Sequence, residues 1–69
     1  MLDQKTLELI SLAVAVTTRC DGCISIDSHA ALKAGTSREE IAAALAVAVS
    51  LNAGAAVVYS SHVMEAINQ

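Results

Sequence analysis

Sixty-nine residues with a net charge of −3, 55% apolar content and one aromatic residue, Tyr59, make a single small domain spanning residues 1–69. That balance excludes the basic patch that nucleic acid requires and the cationic face that holds an anionic membrane. The apolar residues are mostly Ala, Val, Leu and Ile and proline is absent, which points to an all-α chain of close-packed helices. So much apolar surface on so short a chain calls for an obligate homo-oligomer.

Asp3 is placed to cap a first helix over residues 4–18, with Leu7, Ile10, Val14 and Leu12 as its apolar stripe and Lys5 and Glu8 toward a more polar side. Thr17 and Thr18 are poor helix formers and mark its fraying end. The Cys20-Asp21-Gly22-Cys23 segment turns the chain and opens a second helix that runs to Ala34, with Gly35 suited to the position just past its end. Two overlapping capping boxes follow, Thr36 with Glu39 and Ser37 with Glu40, and start a third helix from Arg38 to about Leu51. Asn52-Ala53-Gly54 reads as a break, and a fourth helix is predicted from about Ala55 to Ile67. The result is a bundle of about four short helices. The stretch Ile41–Ser61 carries no charge and is long enough to cross a bilayer. It is mostly Ala and Val, interrupted by Ser50, Asn52 and Gly54, so helices buried in an oligomer are the expectation and no membrane partner is.

Both cysteines of the chain fall in one motif, Cys20-Asp21-Gly22-Cys23, with His29 six positions beyond. Residues three apart at a helix start share a face, so the sulfurs can approach bonding distance. First-turn amides and the helix dipole favour a thiolate there, and the thiolate is the form that attacks a disulfide or a peroxide. The N-terminus, Met1-Leu2-Asp3-Gln4-Lys5, lacks the cationic start of a signal peptide. The pair is therefore expected in a reducing, cytoplasmic setting, where such spacing means redox or metal chemistry rather than a structural staple. A zinc site would draw on Cys20, Cys23, His29 and His62, but the histidines lack the short spacing of such sites, and no metal or cofactor is expected. Buried, chemically idle cysteines are the other reading of the pair.

Asp27 lies one turn after Cys23 on the same face, whereas His29 is turned away from Cys23 by roughly 120° on an ideal helix. If the first two helices form a hairpin turning near Cys20, Glu8 comes toward the Asp27–Ala31 region, where a carboxylate could accept a proton in thiol chemistry. A glutamate early in a helix is otherwise a solvated residue favoured by the dipole.

Arg19-Cys20-Asp21-Gly22-Cys23-Ile24, followed by Ala31-Leu32-Lys33-Ala34-Gly35-Thr36-Ser37-Arg38-Glu39-Glu40-Ile41, resembles the carboxymuconolactone decarboxylase family, and within it the AhpD-like alkylhydroperoxidase branch. Leu2–Ile10 and Asn52–Tyr59 match its style as well, so the resemblance spans the chain. It implies an all-helical fold assembled as trimers or hexamers. It also implies a redox site in which Glu8 matches the family glutamate, Cys23 attacks a hydroperoxide, and Cys20 closes the disulfide and meets an external dithiol of lipoyl or thioredoxin type. The decarboxylases proper lack the cysteine pair, which favours the peroxidase or disulfide-reductase side. Two departures stand out. Asp27 occupies the position of the family histidine, and a carboxylate there disfavours a neighbouring thiolate where an imidazole would relay a proton; His29 matches a second histidine that some relatives carry. Relatives also have a helix before the Leu2 start, so the chain reads as a minimal or truncated version. The expected function is a thiol-dependent peroxidase. The alternatives are a dithiol sensor or reductase without peroxide chemistry, and a structural helical oligomer.

Overall fold

The computed structural model describes all residues from Met1 to Gln69 and contains only helices: α1 (Gln4–Thr18), α2 (Asp21–Lys33), α3 (Arg38–Tyr59) and α4 (Ser61–Ile67). Asp3 starts α1 by accepting the Thr6 amide on its carboxylate at 2.8 Å. The helix ends when Arg19 takes up left-handed backbone angles, φ 55° and ψ 45°. The Cys20 amide then reaches back to the Ala15 carbonyl at 3.0 Å and the Arg19 amide to Val16 at 3.3 Å, so two carbonyls that α1 would leave unpaired are satisfied. Thr17 and Thr18 both donate their hydroxyls to the Val14 carbonyl, which keeps the last turn helical despite their low propensity.

At the other end of α2, Gly35 supplies the positive φ of 93° that the turn requires. The Thr36 amide and hydroxyl both donate to the Ala31 carbonyl, and Thr36 is buried as a result. Of the two foreseen capping boxes, the second forms: Ser37 Oγ accepts the Glu40 amide at 3.0 Å, and Glu40 Oε1 accepts the Ser37 amide at 2.9 Å.

The expected break at Asn52-Ala53-Gly54 does not occur. Helix α3 runs through it to Tyr59, because Asn52 and Ser50 satisfy their side chains on their own helix, at the carbonyls of Ala48 (2.7 Å) and Ala46 (2.9 Å). The interruption comes instead at Ser60. That residue keeps right-handed helical angles, so α4 continues the direction of α3 with little deviation, and Arg38–Ile67 forms a rod of 30 residues. By length and composition this rod could cross a bilayer.

Helix α1 packs against both α2 and α3, and the residues buried where they meet are small or few: Leu12 (3% exposed), Ala15, Ala31 (fully buried), Ala48 and Thr36. The apolar stripe expected on α1 is corrected by this packing. Leu7, Ile10 and Val14 stay 43%, 47% and 54% exposed, while Leu12 and Ala15 turn inward. Lys5 and Glu8 share that inward side and are half-buried; Lys5 Nζ meets Glu40 Oε2 at 3.3 Å and ties the starts of α1 and α3 together. Every residue from Val49 to Gln69 is exposed, and the molecule is elongated, 53 × 23 × 21 Å.

Candidate dithiol site

Cys20 and Cys23 are joined as a disulfide across the first turn of α2, with their Cα atoms 5.2 Å apart. The local sequence places them. The left-handed Arg19 ends α1 one residue before Cys20, leaving Cys20 extended (φ −88°, ψ 92°) as the N-cap of α2. Its Sγ does what a serine oxygen does at that position and accepts the Cys23 amide, at 3.3 Å. Asp21 and Gly22 are exposed in the turn between the two cysteines, and the Ile24 amide closes the first helical bond to the Cys20 carbonyl at 2.9 Å. Both sulfur-bearing residues are half-buried.

A groove of about 310 Å³ runs between α1 and α2 beside Cys23. Cys23 and Asp27 line it from α2, and Ser11, Val14, Ala15 and Thr18 line it from α1, with Ile10 at its edge. Asp27 is thus brought to Cys23 as its i+4 spacing requires. The hydroxyl-bearing wall of Ser11 and Thr18 was missed by sequence reasoning. Its signal was the spacing of residues 11, 14, 15 and 18, which a hairpin turning at Cys20 sets against the Cys23–Asp27 face.

Glu8 lies one turn before Ser11 on α1 and does not line this groove. Its Oε1 accepts the Gln4 side-chain amide at 2.8 Å, while its Oε2 is buried and unpartnered. An unpaired buried carboxylate oxygen is costly. His29 is exposed on α2 and outside the groove, in line with its turn away from Cys23. His62 belongs to α4, where Nδ1 faces Glu65 Oε2 at 3.7 Å and the ring rests against Tyr59, with centroids 4.3 Å apart. No group of three or more His, Cys, Asp or Glu side chains converges on a point that could hold a metal ion, so the four candidate zinc ligands are not brought together.

The arrangement can therefore exchange electrons through one dithiol/disulfide couple, with a carboxylate next to one sulfur and an amide donor on the other. Comparison with known proteins identifies the family. The model of the carboxymuconolactone decarboxylase family matches residues 1–66. An uncharacterized protein of Haemophilus influenzae is 62% identical over 66 residues, covering 96% of this chain and 58% of that protein. "Uncharacterized protein 4 in cox locus" of Paracoccus denitrificans is 34% identical over 68 residues, covering 99% of this chain and 61% of that protein. The chain thus spans about three-fifths of the length of these relatives. With all but the last residues matched and the cysteine pair in place, the chain belongs to the carboxymuconolactone decarboxylase family.

Proposed function

We propose that the protein is a dithiol oxidoreductase that reduces hydroperoxides, working in a reducing cytoplasmic setting and as an assembly of three or six copies. The observation that carries this reading is the Cys20–Cys23 disulfide across a helix N-terminus, with Cys23 opening onto a groove of about 310 Å³ rimmed by Ile10 and Val14. The apolar rim suits the alkyl part of a hydroperoxide. In the first step the Cys23 thiolate attacks the terminal peroxide oxygen. The O–O bond breaks, Cys23 becomes a sulfenic acid and the alkoxide leaves as alcohol after taking a proton. Cys20 then attacks the sulfenic sulfur, forming the disulfide and expelling water. An external dithiol, of lipoyl or thioredoxin type, returns both sulfurs to thiols and is itself oxidised to a disulfide. Asp27, Glu8 and His29 are the residues proposed to handle protons around these steps: Asp27 from within the groove, Glu8 through its unpartnered Oε2, and His29 from the outer face of α2.

A second reading is favoured by two specific features. The Cys23 amide donates to the sulfur of Cys20, so that Cys20 and not Cys23 has its Sγ hydrogen-bonded, and a hydrogen bond of that kind stabilises a thiolate. The carboxylate sits on the Cys23 side, where it opposes one. Both favour Cys20 as the attacking sulfur in thiol–disulfide exchange, without a peroxide step.

The deciding experiment is stopped-flow oxidation of the fully reduced protein by an alkyl hydroperoxide, followed by mass spectrometry, for wild type beside Asp27→His. Peroxidase chemistry requires rapid disulfide formation in wild type that is lost in Cys23→Ser. Slow wild-type oxidation accelerated on the order of a hundredfold by Asp27→His, the range of a positioned acid–base group, leaves the exchange reading. If neither protein forms the bond while both exchange with small disulfides, the peroxide step is excluded.

A further inference from the structure

Charge is distributed unevenly around the groove between α1 and α2. Asp27 is its one permanently charged side chain, half-buried a turn after Cys23. The ion pairs of the chain join Lys5 to Glu40 and His62 to Glu65, and neither engages Asp27. All four Lys and Arg side chains lie elsewhere. Lys5 is held by Glu40 at 3.3 Å. Arg19 lines the cleft between the end of α1 and α3, beside Val49 and Asn52. Arg38 lines a separate groove between α2 and α3, with Leu32 and Leu45. Lys33 follows Asp27 by six positions, which turns it about 120° away around α2.

The hydrogen-bonding groups of the groove lean the same way. Thr18 gives its hydroxyl hydrogen to the Val14 carbonyl at 3.0 Å, so its oxygen is left to accept. An ionised Asp27 only accepts, and the Ser11 hydroxyl turns to either role. The polar wall therefore offers acceptors and lacks a positively charged donor, while Ile10, Val14 and Ala15 supply apolar contact beside it. Residues four apart on a helix have Cβ atoms about 5–6 Å apart, so a cation on Asp27 stands roughly two or three carbons from a sulfur bonded to Cys23. A cavity of about 310 Å³ is at the small end of ligand sites.

We infer that Asp27 selects the exchange partner of the dithiol, and that this partner is a small disulfide whose sulfur carries a short arm ending in an ammonium group. The carboxylate acts twice: it holds the ammonium and, once neutralised by it, no longer opposes the Cys23 thiolate. That thiolate attacks one sulfur of the bound disulfide, whose S–S bond breaks, and the departing aminothiolate takes up a proton. The Cys20 thiolate then attacks the Cys23 sulfur of the mixed disulfide, forming the Cys20–Cys23 bond and releasing the second aminothiolate, which is protonated in turn. The protein dithiol supplies both electrons, and the partner leaves as two thiols. With an uncharged disulfide the opposition at Cys23 stays, and an anionic one is repelled besides. The selection rests on the dithiol reading of the site, which it refines by naming the class of partner. It is read as the difference between Asp27 and an uncharged replacement, so any further segment or copy adjoining the groove enters both sides alike.

The test measures disulfide formation in the fully reduced chain, by mass spectrometry, on adding cystamine, hydroxyethyl disulfide or dithiodipropionate, which are cationic, uncharged and anionic. Each rate is divided by that of reduced dithiothreitol with the same disulfide, which removes the disulfides' own reactivity. The expected result is a normalised preference for cystamine over dithiodipropionate on the order of tenfold or more in wild type. In Asp27→Asn the preference collapses toward that of dithiothreitol, and dithiodipropionate itself reacts faster. Glu39→Gln, which removes one charge from the exposed start of α3, keeps the wild-type preference. A wild-type preference no greater than that of dithiothreitol overturns the selection without recourse to any variant. A preference that survives in Asp27→Asn, or that falls equally in Glu39→Gln and so reports net charge alone, overturns it as well. If the reduced chain exchanges with none of the three, the dithiol reading itself has failed; if it exchanges with hydroxyethyl disulfide and shows no charge preference, that reading stands and the selection alone falls.

Discussion

Reduction of the Cys20–Cys23 bond should cost little folding free energy, and the size of that cost separates a redox couple from a staple. The bond spans a sequence separation of three. In the chain-entropy account a loop this short restricts the unfolded chain by about 2 kcal/mol at 25 °C, near the lower end for disulfides. The turn it closes is held independently: the Cys20 amide bonds to Ala15, the Ile24 amide bonds to the Cys20 carbonyl, and α2 continues to Lys33 through its own ladder. Reversible urea unfolding of oxidised and reduced protein, compared at one fixed protein concentration so that any self-association enters both curves alike, should therefore differ by about 2 kcal/mol. Helicity at zero urea should be unchanged. Cys20→Ser should lie close to the reduced protein or slightly above it, since serine caps a helix by up to about 1 kcal/mol better than a non-capping residue. A loss of more than about 4 kcal/mol on reduction, or melting of α2, would mean that the bond is structural and that the reasoning from loop length and capping fails.

Arg19→Gly should stabilise the fold by about 1 kcal/mol, because the left-handed angles at this position cost an L-residue about that much and glycine nothing; a destabilised variant in thermal melts would mean that the arginine side chain holds the turn. Leu12→Ala should lose about 3 kcal/mol, the typical cost of emptying a buried leucine site, read as a lower urea midpoint with unchanged slope. The Ser37 amide, with Lys5 beside it, holds the Glu40 carboxyl below the usual carboxylate range. A depressed acid contributes stability above its unfolded pKa and loses it as pH falls through the folded value, so the start of α3 should weaken only on acidification below that range. Glu40→Gln should remove that part of the pH dependence in melts recorded from neutral to acid pH, and an unchanged pH profile would show that the capping box contributes nothing to it.

Where the chain's local chemistry has one answer, the sequence was legible. Asp3 before α1, Ser37 with Glu40 before α3 and the cysteine that caps α2 each sit where a side chain meets an unpaired amide. Thr36 offered the same signal and was diverted, because the left-handed Gly35 folds it back on the Ala31 carbonyl. Asn52-Ala53-Gly54 carries turn-forming residue types, but Asn52 found its acceptor one helical turn back, among alanines that favour helix strongly enough to carry Gly54. The inward face of α1 was misread for a different reason. Large apolar residues mark a stripe that must be covered, not which neighbour covers it. Within one chain the close contacts fall to Leu12 and Ala15, whose small and few side chains let the helices approach, while Leu7, Ile10 and Val14 face outward.

That division of α1 also bears on the site. One side of the helix carries Glu8 with its orphaned oxygen and then Leu12 into the body of the chain; another carries Ile10, Val14 and Thr18 along the open groove beside Cys23, and the buried Ala15 borders both. Glu8 and the apolar rim of the groove are thus presented from different sides of one helix, while Asp27 is the carboxylate within the groove. Asp27 is the only carboxylate lining the groove, and Ser11 and Thr18 are its remaining polar side chains. A groove so furnished can hold an apolar group against a sulfur but has no cation to stabilise developing negative charge. In a single copy, therefore, the chain supplies a disulfide, an apolar rim and a carboxylate. The Cys23 amide on the Cys20 sulfur supports exchange chemistry from within the chain, whereas peroxide cleavage calls for a donor brought from outside the groove. The rate of peroxide oxidation should then depend on assembly while thiol–disulfide exchange should not.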